Sequence, residues 1–161
     1  MAKRPVRAFD YVNHPYEPVR TAIHADAAGI FQKATRMAEQ RSGELVAALS
    51  VDISGVKLSK EVAISVGRIQ DEGERFSRVT HVELEWEATD SPGLFPIMKA
   101  DLKIYPLSPT ETQIELEGEY EPPLGVLGGA IDAVVGHRLA EASVHRFVRG
   151  VVETLRQDVQ G

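Results

Sequence analysis

"HVELEWEA", residues 81–88, alternates apolar side chains with glutamates, and this alternation decides the fold class. Residues 98–105, MKADLKIY, and residues 113–120, QIELEGEY, alternate in the same way. Because successive side chains of a strand point to opposite faces, each stretch predicts a strand with one apolar and one charged face. The middle stretch has lysines where the other two have glutamates, so pairing in chain order places opposite charges side by side. The sequence therefore predicts an antiparallel meander with a solvated, charged outer face.

The remaining segments predict an α+β domain. Residues 19–23, 45–53 and 62–66 also alternate and predict three more strands. Asp26 is a good N-cap for a helix whose apolar residues repeat at helical spacing up to Met37. From Pro123 to about Gln157 only glycines lower the helix propensity, which predicts one C-terminal helix of roughly 30 residues.

Composition bounds the domain organisation and the partners. The 161 residues predict one domain over 17–161, preceded by a partly mobile N-terminal extension over 1–16. A net charge of −6 argues against a nucleic-acid partner. No apolar run is long enough for an integral membrane segment, and the N-terminal residues lack the apolar core of a secretory signal. We therefore expect a cytoplasmic protein.

Catalytic and cofactor motifs are missing from the sequence. It contains no nucleophile elbow, no P-loop and no dinucleotide-binding glycine motif. Without cysteine there is neither a thiolate metal site nor a cysteine nucleophile, and the five histidines have no metal-ligand spacing. We expect no metal site and no cofactor.

The stretch GHRLAEASVHRF, residues 136–147, places two polar residues on an apolar helix face. At about 100° per residue, Arg138 and His145 fall near the centre of the stripe that contains Ile131. The C-terminal part of the helix is apolar on a second face as well, which predicts packing against more than one layer; this face contains Val144, Phe147, Val151 and Leu155. A buried guanidinium is costly unless it is paired. One interpretation is structural, with an inward ion pair or an arginine that reaches the rim. The other is a cavity in which both residues are polar contacts.

The order and lengths of these elements resemble the START-like superfamily, also called SRPBCC or helix-grip, which includes polyketide cyclases and the birch-pollen-allergen type. The resemblance runs from ADAAGIFQKA through VELEWEA, LFPIMKADLKIYPL and TQIELEGEYEPPLGVLGG to the C-terminal helix, within residues 17–157. It implies a curved antiparallel sheet of six to seven strands wrapped around that helix, with a ligand cavity between them. Only six strands are convincing, so either a strand is hidden in the N-terminal stretch or one segment is really two.

The resemblance also implies which residues line the cavity. Two polar residues, Arg138 and His145, would be the main polar contacts. The apolar wall would include Leu127, Ile131, Val135 and Ala142 on the helix and Trp86, Leu102, Leu116 and Tyr120 on the sheet.

Three functions are compatible with this sequence. The first is binding of a small hydrophobic molecule, a lipid or a polyketide-like or aromatic compound, without obligatory catalysis. The second is an acid–base enzyme of the cyclase or aromatase type, with His145 as the catalytic residue. The third is a closed-core domain that acts through protein association, for example as a homodimer.

Overall fold

The computed structural model describes residues 4–40, 62–88, 97–121 and 133–159. Within these ranges the chain forms five strands, two long helices and a short 3-10 turn. This confirms the predicted α+β class. In chain order the elements are β1 (Arg4–Val12), α1 (Tyr16–Gln40), β2 (Val62–Glu72), the turn (Arg75–Ser77), β3 (Val79–Ala88), β4 (Ile97–Ser108), β5 (Glu111–Glu121) and α2 (Ala133–Asp158).

The five strands form one curved antiparallel sheet in the order β1-β5-β4-β3-β2. Strands β2 to β5 are neighbours in chain order, which confirms the predicted meander. The register places Lys99 directly opposite Glu85 on one side and Glu119 on the other. Opposite charges are therefore adjacent on the solvent face, as the alternation predicted.

The predicted strand over residues 19–23 is wrong, because this segment is the first part of α1. Its buried side chains are Tyr16, Val19 and Ile23, whereas Thr21 is exposed. Spacings of three and four residues are those of a helix face. Val19 and Ile23 fit both the two-residue repeat of a strand and the 3.6-residue repeat of a helix. Only the burial of Tyr16 and the exposure of Thr21 show that the segment is helical.

Asp26 marks a kink inside α1. Its φ of −155° and ψ of 59° are not helical, and its carboxylate accepts a hydrogen bond from the backbone N–H of Gly29 at 3.1 Å. This is the contact that an N-cap residue makes. The N-cap prediction is confirmed, although the residues before Asp26 are also helical.

The N-terminal extension predicted over residues 1–16 contains an edge strand. β1 pairs antiparallel with β5 along its whole length, from Arg4 opposite Tyr120 to Val12 opposite Thr112. The buried residues of β1 are Val6, Ala8 and Val12. Of the two explanations for the low strand count, the hidden N-terminal strand is therefore confirmed, and residue 17 is not a boundary of the sheet.

The two helices lie side by side on one face of the sheet. α2 packs against α1 and β1, and α1 packs against β2. The helices meet at Gly150, where an added Cβ atom would lie only 3.1 Å from the Cα atom of Ala34. A side chain at this position would separate the helices, so glycine permits the close approach.

The buried stripe of α2 differs from the predicted one. Arg138 and His145 are exposed, so the predicted centre of the stripe is wrong, whereas the second apolar face predicted around Phe147 is buried. α1 packs against one flank of α2, and Phe147 on that side faces the core. Arg138 and His145 lie on the flank that α1 does not cover, which we call the uncovered flank. The buried apolar residues of the helix are Val144, Phe147, Val148, Val151, Val152 and Leu155.

Two predicted elements lie outside the described residues. They are the strand over 45–53 and the start of the C-terminal helix at Pro123. The described ranges therefore contain five strands, compared with the six to seven that we expected.

Candidate functional site

The inner face of the sheet, which is the face toward the two helices, contains all four predicted sheet residues of the cavity wall. Trp86 and Tyr120 are in one cross-strand row, and Leu102 is directly opposite Leu116. None of the four exposes more than 1% of its surface. They are core side chains in this structure, and their contact with a ligand stays a prediction.

Trp86 connects the sheet to both helices. Its ring meets Phe147 of α2 edge to face, with centroids 4.7 Å apart. Its indole N–H donates a hydrogen bond to the Thr35 hydroxyl of α1 at 3.3 Å. The buried indole therefore has a polar partner, as buried tryptophans usually do.

Tyr120 is a polar group on this otherwise apolar wall. Burial raises the pKa of the Tyr120 hydroxyl, and the nearby charge of Glu141 on α2 adds to the increase. A hydrogen bond from Arg4 and its positive charge act in the opposite direction but do not cancel the increase. The phenol therefore stays neutral at physiological pH and can both donate and accept a hydrogen bond.

Tyr120 lies near one end of the sheet, which we call the Tyr120 end. β5 ends at Glu121, one residue after Tyr120, and β4 begins at Ile97, opposite Glu121. α2 runs parallel to β1, because Glu141 lies near Tyr120, which is paired with Arg4 at the start of β1, whereas Arg156 reaches the Tyr11 carbonyl near the end of β1. The turns of α2 before Glu141 therefore extend past this end of the sheet.

The helix residues predicted for the cavity wall are not all buried, unlike the four sheet residues. Leu127 and Ile131 lie outside the described residues, and Val135 lies in the first turn of α2. Ala142 is half-buried, whereas Arg138 and His145 are exposed. The two predicted polar contacts are therefore on the exposed surface of α2.

A groove of 610 Å³ lies on the opposite, outer face of the sheet. Two observations place it there. Its charged side chains alternate along the strands with buried inner-face residues such as Leu84, and the inner-face rings of Trp86 and Tyr120 are not part of its lining. The groove is acidic, because five carboxylates and one lysine line it. These residues are Glu83, Glu85, Lys99, Asp101, Glu117 and Glu119.

Ion pairs next to the groove hold the outer face together. Lys103 donates a hydrogen bond to Glu117 at 2.9 Å, which lowers the pKa of Glu117. Arg7 on the edge strand donates to Glu115 at 2.7 Å. Glu115 is only 5% exposed although it is on the outer face, so Arg7 and Lys103 balance a nearly buried carboxylate.

A second polar cluster, which the sequence patterns did not indicate, joins α1 to β2 and β3. The Asp71 carboxylate accepts hydrogen bonds from Arg20 at 2.8 Å and Thr80 at 2.6 Å, and it lies 3.0 Å from the His24 ring. Desolvation raises the pKa of Asp71, but the hydrogen bonds from Arg20 and Thr80 and the charges of His24 and Arg20 outweigh it and lower the pKa to about 2. The misassigned strand over residues 19–23 concealed this cluster, since a helical spacing of Arg20 and His24 is what brings them to one carboxylate.

No group of three or more carboxylate or imidazole side chains in the described ranges is arranged to hold a metal ion. Among the helices of those ranges, none combines the length and the apolar composition needed to span a membrane.

Comparison with solved structures identifies the fold. The crystal structure of TTHA0849 from Thermus thermophilus aligns with 98% of this chain and 100% of that chain, with a TM-score of 0.50 and 16% identity. At this identity the similarity shows a common fold and leaves activity undetermined.

Two other solved structures align with lower TM-scores. The Zhui aromatase/cyclase from Streptomyces sp. R1128 is 13% identical, with 98% of this chain and 94% of that chain covered and a TM-score of 0.47. Norcoclaurine synthase from Thalictrum flavum, in complex with dopamine and hydroxybenzaldehyde, is 9% identical, with 99% and 90% covered and a TM-score of 0.46. No protein-family model and no curated protein matches the chain.

The described architecture is the helix-grip fold expected from the sequence, with a curved antiparallel sheet and a long C-terminal helix on one face. A fold of this kind hosts unrelated functions, so the function has to be argued from this chain's own residues.

Proposed function

We propose that this chain binds a small hydrophobic molecule between the inner face of the sheet and the first turns of α2, without obligatory catalysis. The observation that supports this is the neutral hydroxyl of Tyr120 on an apolar wall, at the end where α2 extends past the sheet. Small-molecule sites are typically apolar with a few polar groups that orient the ligand. Tyr120 would bond to an oxygen function of such a ligand.

Arg138 would be the ionic anchor for the same ligand. It is exposed, and it lies three residues before Glu141, the α2 residue near Tyr120. Residues three apart share a helix face. A carboxylate on the ligand would pair with this guanidinium, whose planar donors suit a bidentate contact. We therefore propose an apolar acid as the ligand class.

Catalysis of the cyclase or aromatase type would require His145 to reach a carbon acid inside the cavity. His145 is exposed on the uncovered flank of α2, which gives no support for that role. Binding is therefore the proposal, and an assay of turnover with a His145→Ala variant tests the enzymatic alternative.

The binding proposal is tested by titration with the apolar acid 1-anilinonaphthalene-8-sulfonate, followed by displacement with medium-chain fatty acids. Arg138→Leu removes the proposed ionic anchor and Tyr120→Phe removes only the hydroxyl, so we expect each to weaken binding by about five- to tenfold. Arg36→Leu is the matched control, since Arg36 is an exposed arginine on α1. Unchanged affinity in both variants, with intact thermal unfolding, would contradict the proposal.

Native mass spectrometry of the protein purified from its own host adds a test without a chosen probe. A stoichiometric apolar acid, released on denaturation, is the expected result. If the protein is empty and no apolar acid shifts its unfolding temperature, the nearly complete burial of Trp86 and Tyr120 supports the closed-core function instead.

A further inference from the structure

Arg4 lies next to Tyr120 on the inner face of the sheet. The two residues are directly opposite each other in the register of β1 and β5. Arg4 alternates along β1 with Val6 and Ala8, whose side chains are buried on the inner face. Because every second side chain of a strand is on the same face, the Arg4 side chain also points to the inner face. A guanidinium is therefore adjacent to the polar group of the proposed ligand site.

Arg4 has no carboxylate partner in the described ranges. It is half-buried, and the Tyr120 hydroxyl is its one side-chain hydrogen-bond acceptor among the described residues. Arg20 and Arg78, which are also half-buried, each form an ion pair with a carboxylate. A guanidinium has five N–H donors, so most of the donors of Arg4 are left for a ligand. An anion would stabilise this partly desolvated charge.

Glu141 of α2 lies level with Arg4. At the other end of β1, Arg156 of α2 contacts the carbonyl of Tyr11. From Arg156 back to Glu141 the helix rises about 22 Å. From Tyr11 back to Arg4 the strand extends about 23 Å, and α2 packs along β1, so Glu141 reaches the level of Arg4. Besides burial, the charge of Glu141 raises the pKa of Tyr120, which agrees with this position.

The described charges of β1 and α2 at the Tyr120 end add up to one positive charge. Arg138 lies three residues before Glu141 and shares its helix face. No ion pair joins Arg4 to Glu141. Lys99 and Glu119 are near the same end, but they line the groove on the outer face. Two guanidiniums and one carboxylate are therefore available to a head group on the inner side.

We propose that Arg4 is the sheet-side anchor for a carboxylate of the ligand, and that Glu141 restricts this ligand to a single negative charge. The carboxylate accepts hydrogen bonds from Arg4 on the sheet and from Arg138 on the helix, so both layers hold the head group. A phosphate monoester has a charge of about −1.5 to −2 at pH 7, and Glu141 repels the second charge. The inference rests on the proposed binding function and specifies an apolar monocarboxylic acid.

Three ligands with the same chain and different head groups test this preference. They are decanoate, decan-1-ol and decyl phosphate, each titrated below its micelle concentration in a calorimeter. We expect decanoate to bind at least about fivefold more tightly than decanol and about threefold more tightly than decyl phosphate.

Arg4→Leu removes the proposed anchor. It should weaken decanoate binding about tenfold and change decanol binding less than about twofold. Arg4→Lys keeps the charge without the planar fork, so it should recover part of the loss. Arg146→Leu is the matched control, since Arg146 is also half-buried and has no ion pair in the described ranges. It lies about 140° around α2 from Glu141, so its loss should leave the three affinities unchanged.

Glu141→Gln tests the charge restriction in the opposite direction. It removes the repulsion, so decanoate should bind about threefold more tightly and decyl phosphate about tenfold more tightly. Glu153→Gln is the control, because Glu153 lies about 18 Å further along α2, and it should have no effect. A purely structural role of Glu141 would weaken binding of all three ligands instead.

The inference and the binding function fail in different ways. If decanoate binds and Arg138→Leu weakens it, an unaltered affinity in Arg4→Leu, or equal losses of decanoate and decanol, would exclude the anchor. An unchanged ratio of decanoate to decyl phosphate affinity in Glu141→Gln would exclude the charge restriction. If none of the three ligands binds to the unaltered protein, the binding function fails and this inference fails with it. If Arg4→Leu does not fold, Arg4→Lys and Glu141→Gln decide.

Discussion

Asp71 shows how a single carboxylate joins elements that are far apart in the sequence. It lies on β2 and is bonded to Arg20 of α1 and to Thr80 of β3. Thr80 is in turn 2.5 Å from the hydroxyl of the buried Tyr16. The lowered pKa of Asp71 means that the folded state favours the ionised carboxylate more strongly than the unfolded state does. This interaction therefore stabilises the fold at neutral pH.

We predict that Asp71→Asn lowers the free energy of unfolding by about 1 kcal/mol at pH 7, after a discount for the partial exposure of the carboxylate. The folded pKa of about 2 is below the ordinary aspartate value of 3.8, so the stabilisation is complete above pH 4 and decreases as the pH falls toward 2. Urea unfolding at several pH values should therefore show the two proteins converging in acid. Asp158→Asn, which changes an exposed carboxylate, is the control. A stability difference that is independent of pH would contradict this assignment.

At the scale of elements, the sequence predicts those whose periodicity is unambiguous. The glutamate-rich strands β3 and β5 and the intervening β4 follow directly from alternation. The segment over 19–23 fits two periods, and β1 is concealed because Asp10 interrupts its apolar face. Which face of α2 is buried depends on its contact with α1. The apolar pattern within either helix does not show that contact. For that reason the helical projection alone puts Arg138 and His145 on the buried stripe, whereas the structure exposes them.

The contact between α1 and α2 gives a prediction for Gly150. A leucine there would push against the backbone of Ala34, so Gly150→Leu should destabilise the protein by about 1–2 kcal/mol despite the gain in helix propensity. Arg149→Leu, one residue earlier and exposed, should change stability by less than about 0.5 kcal/mol. Guanidinium unfolding compares the two. Equal stability of both variants would mean that the helices can separate without cost.

At the scale of the whole molecule, Phe147 is the side chain on which the layers converge. Its ring contacts Trp86 of the sheet and lies 6.1 Å, centroid to centroid, from Phe31 of α1. The two helices and the sheet therefore share one core, and loss of this side chain affects all of them.

Phe147→Ala should lower the free energy of unfolding by about 3–5 kcal/mol, because it removes a fully enclosed aromatic ring. Phe76→Ala is the matched control, since Phe76 is 98% exposed and its loss should cost less than about 0.5 kcal/mol. Thermal unfolding monitored by circular dichroism gives both values. If the two variants unfold at the same temperature, Phe147 is not a shared core residue.

The hydrogen bond between Arg156 and Tyr11 joins residues that are 145 positions apart, which has a consequence for synthesis on the ribosome. At ordinary elongation rates, about 7–30 s pass between translation of Tyr11 and translation of Arg156. During most of this time the nascent β1 has neither β5 nor α2 as a neighbour. Pro5 and Asp10 are already present, and both limit strand pairing at this edge. Part of the protection against aggregation is thus encoded within β1 itself and acts before the helix that completes it has been translated.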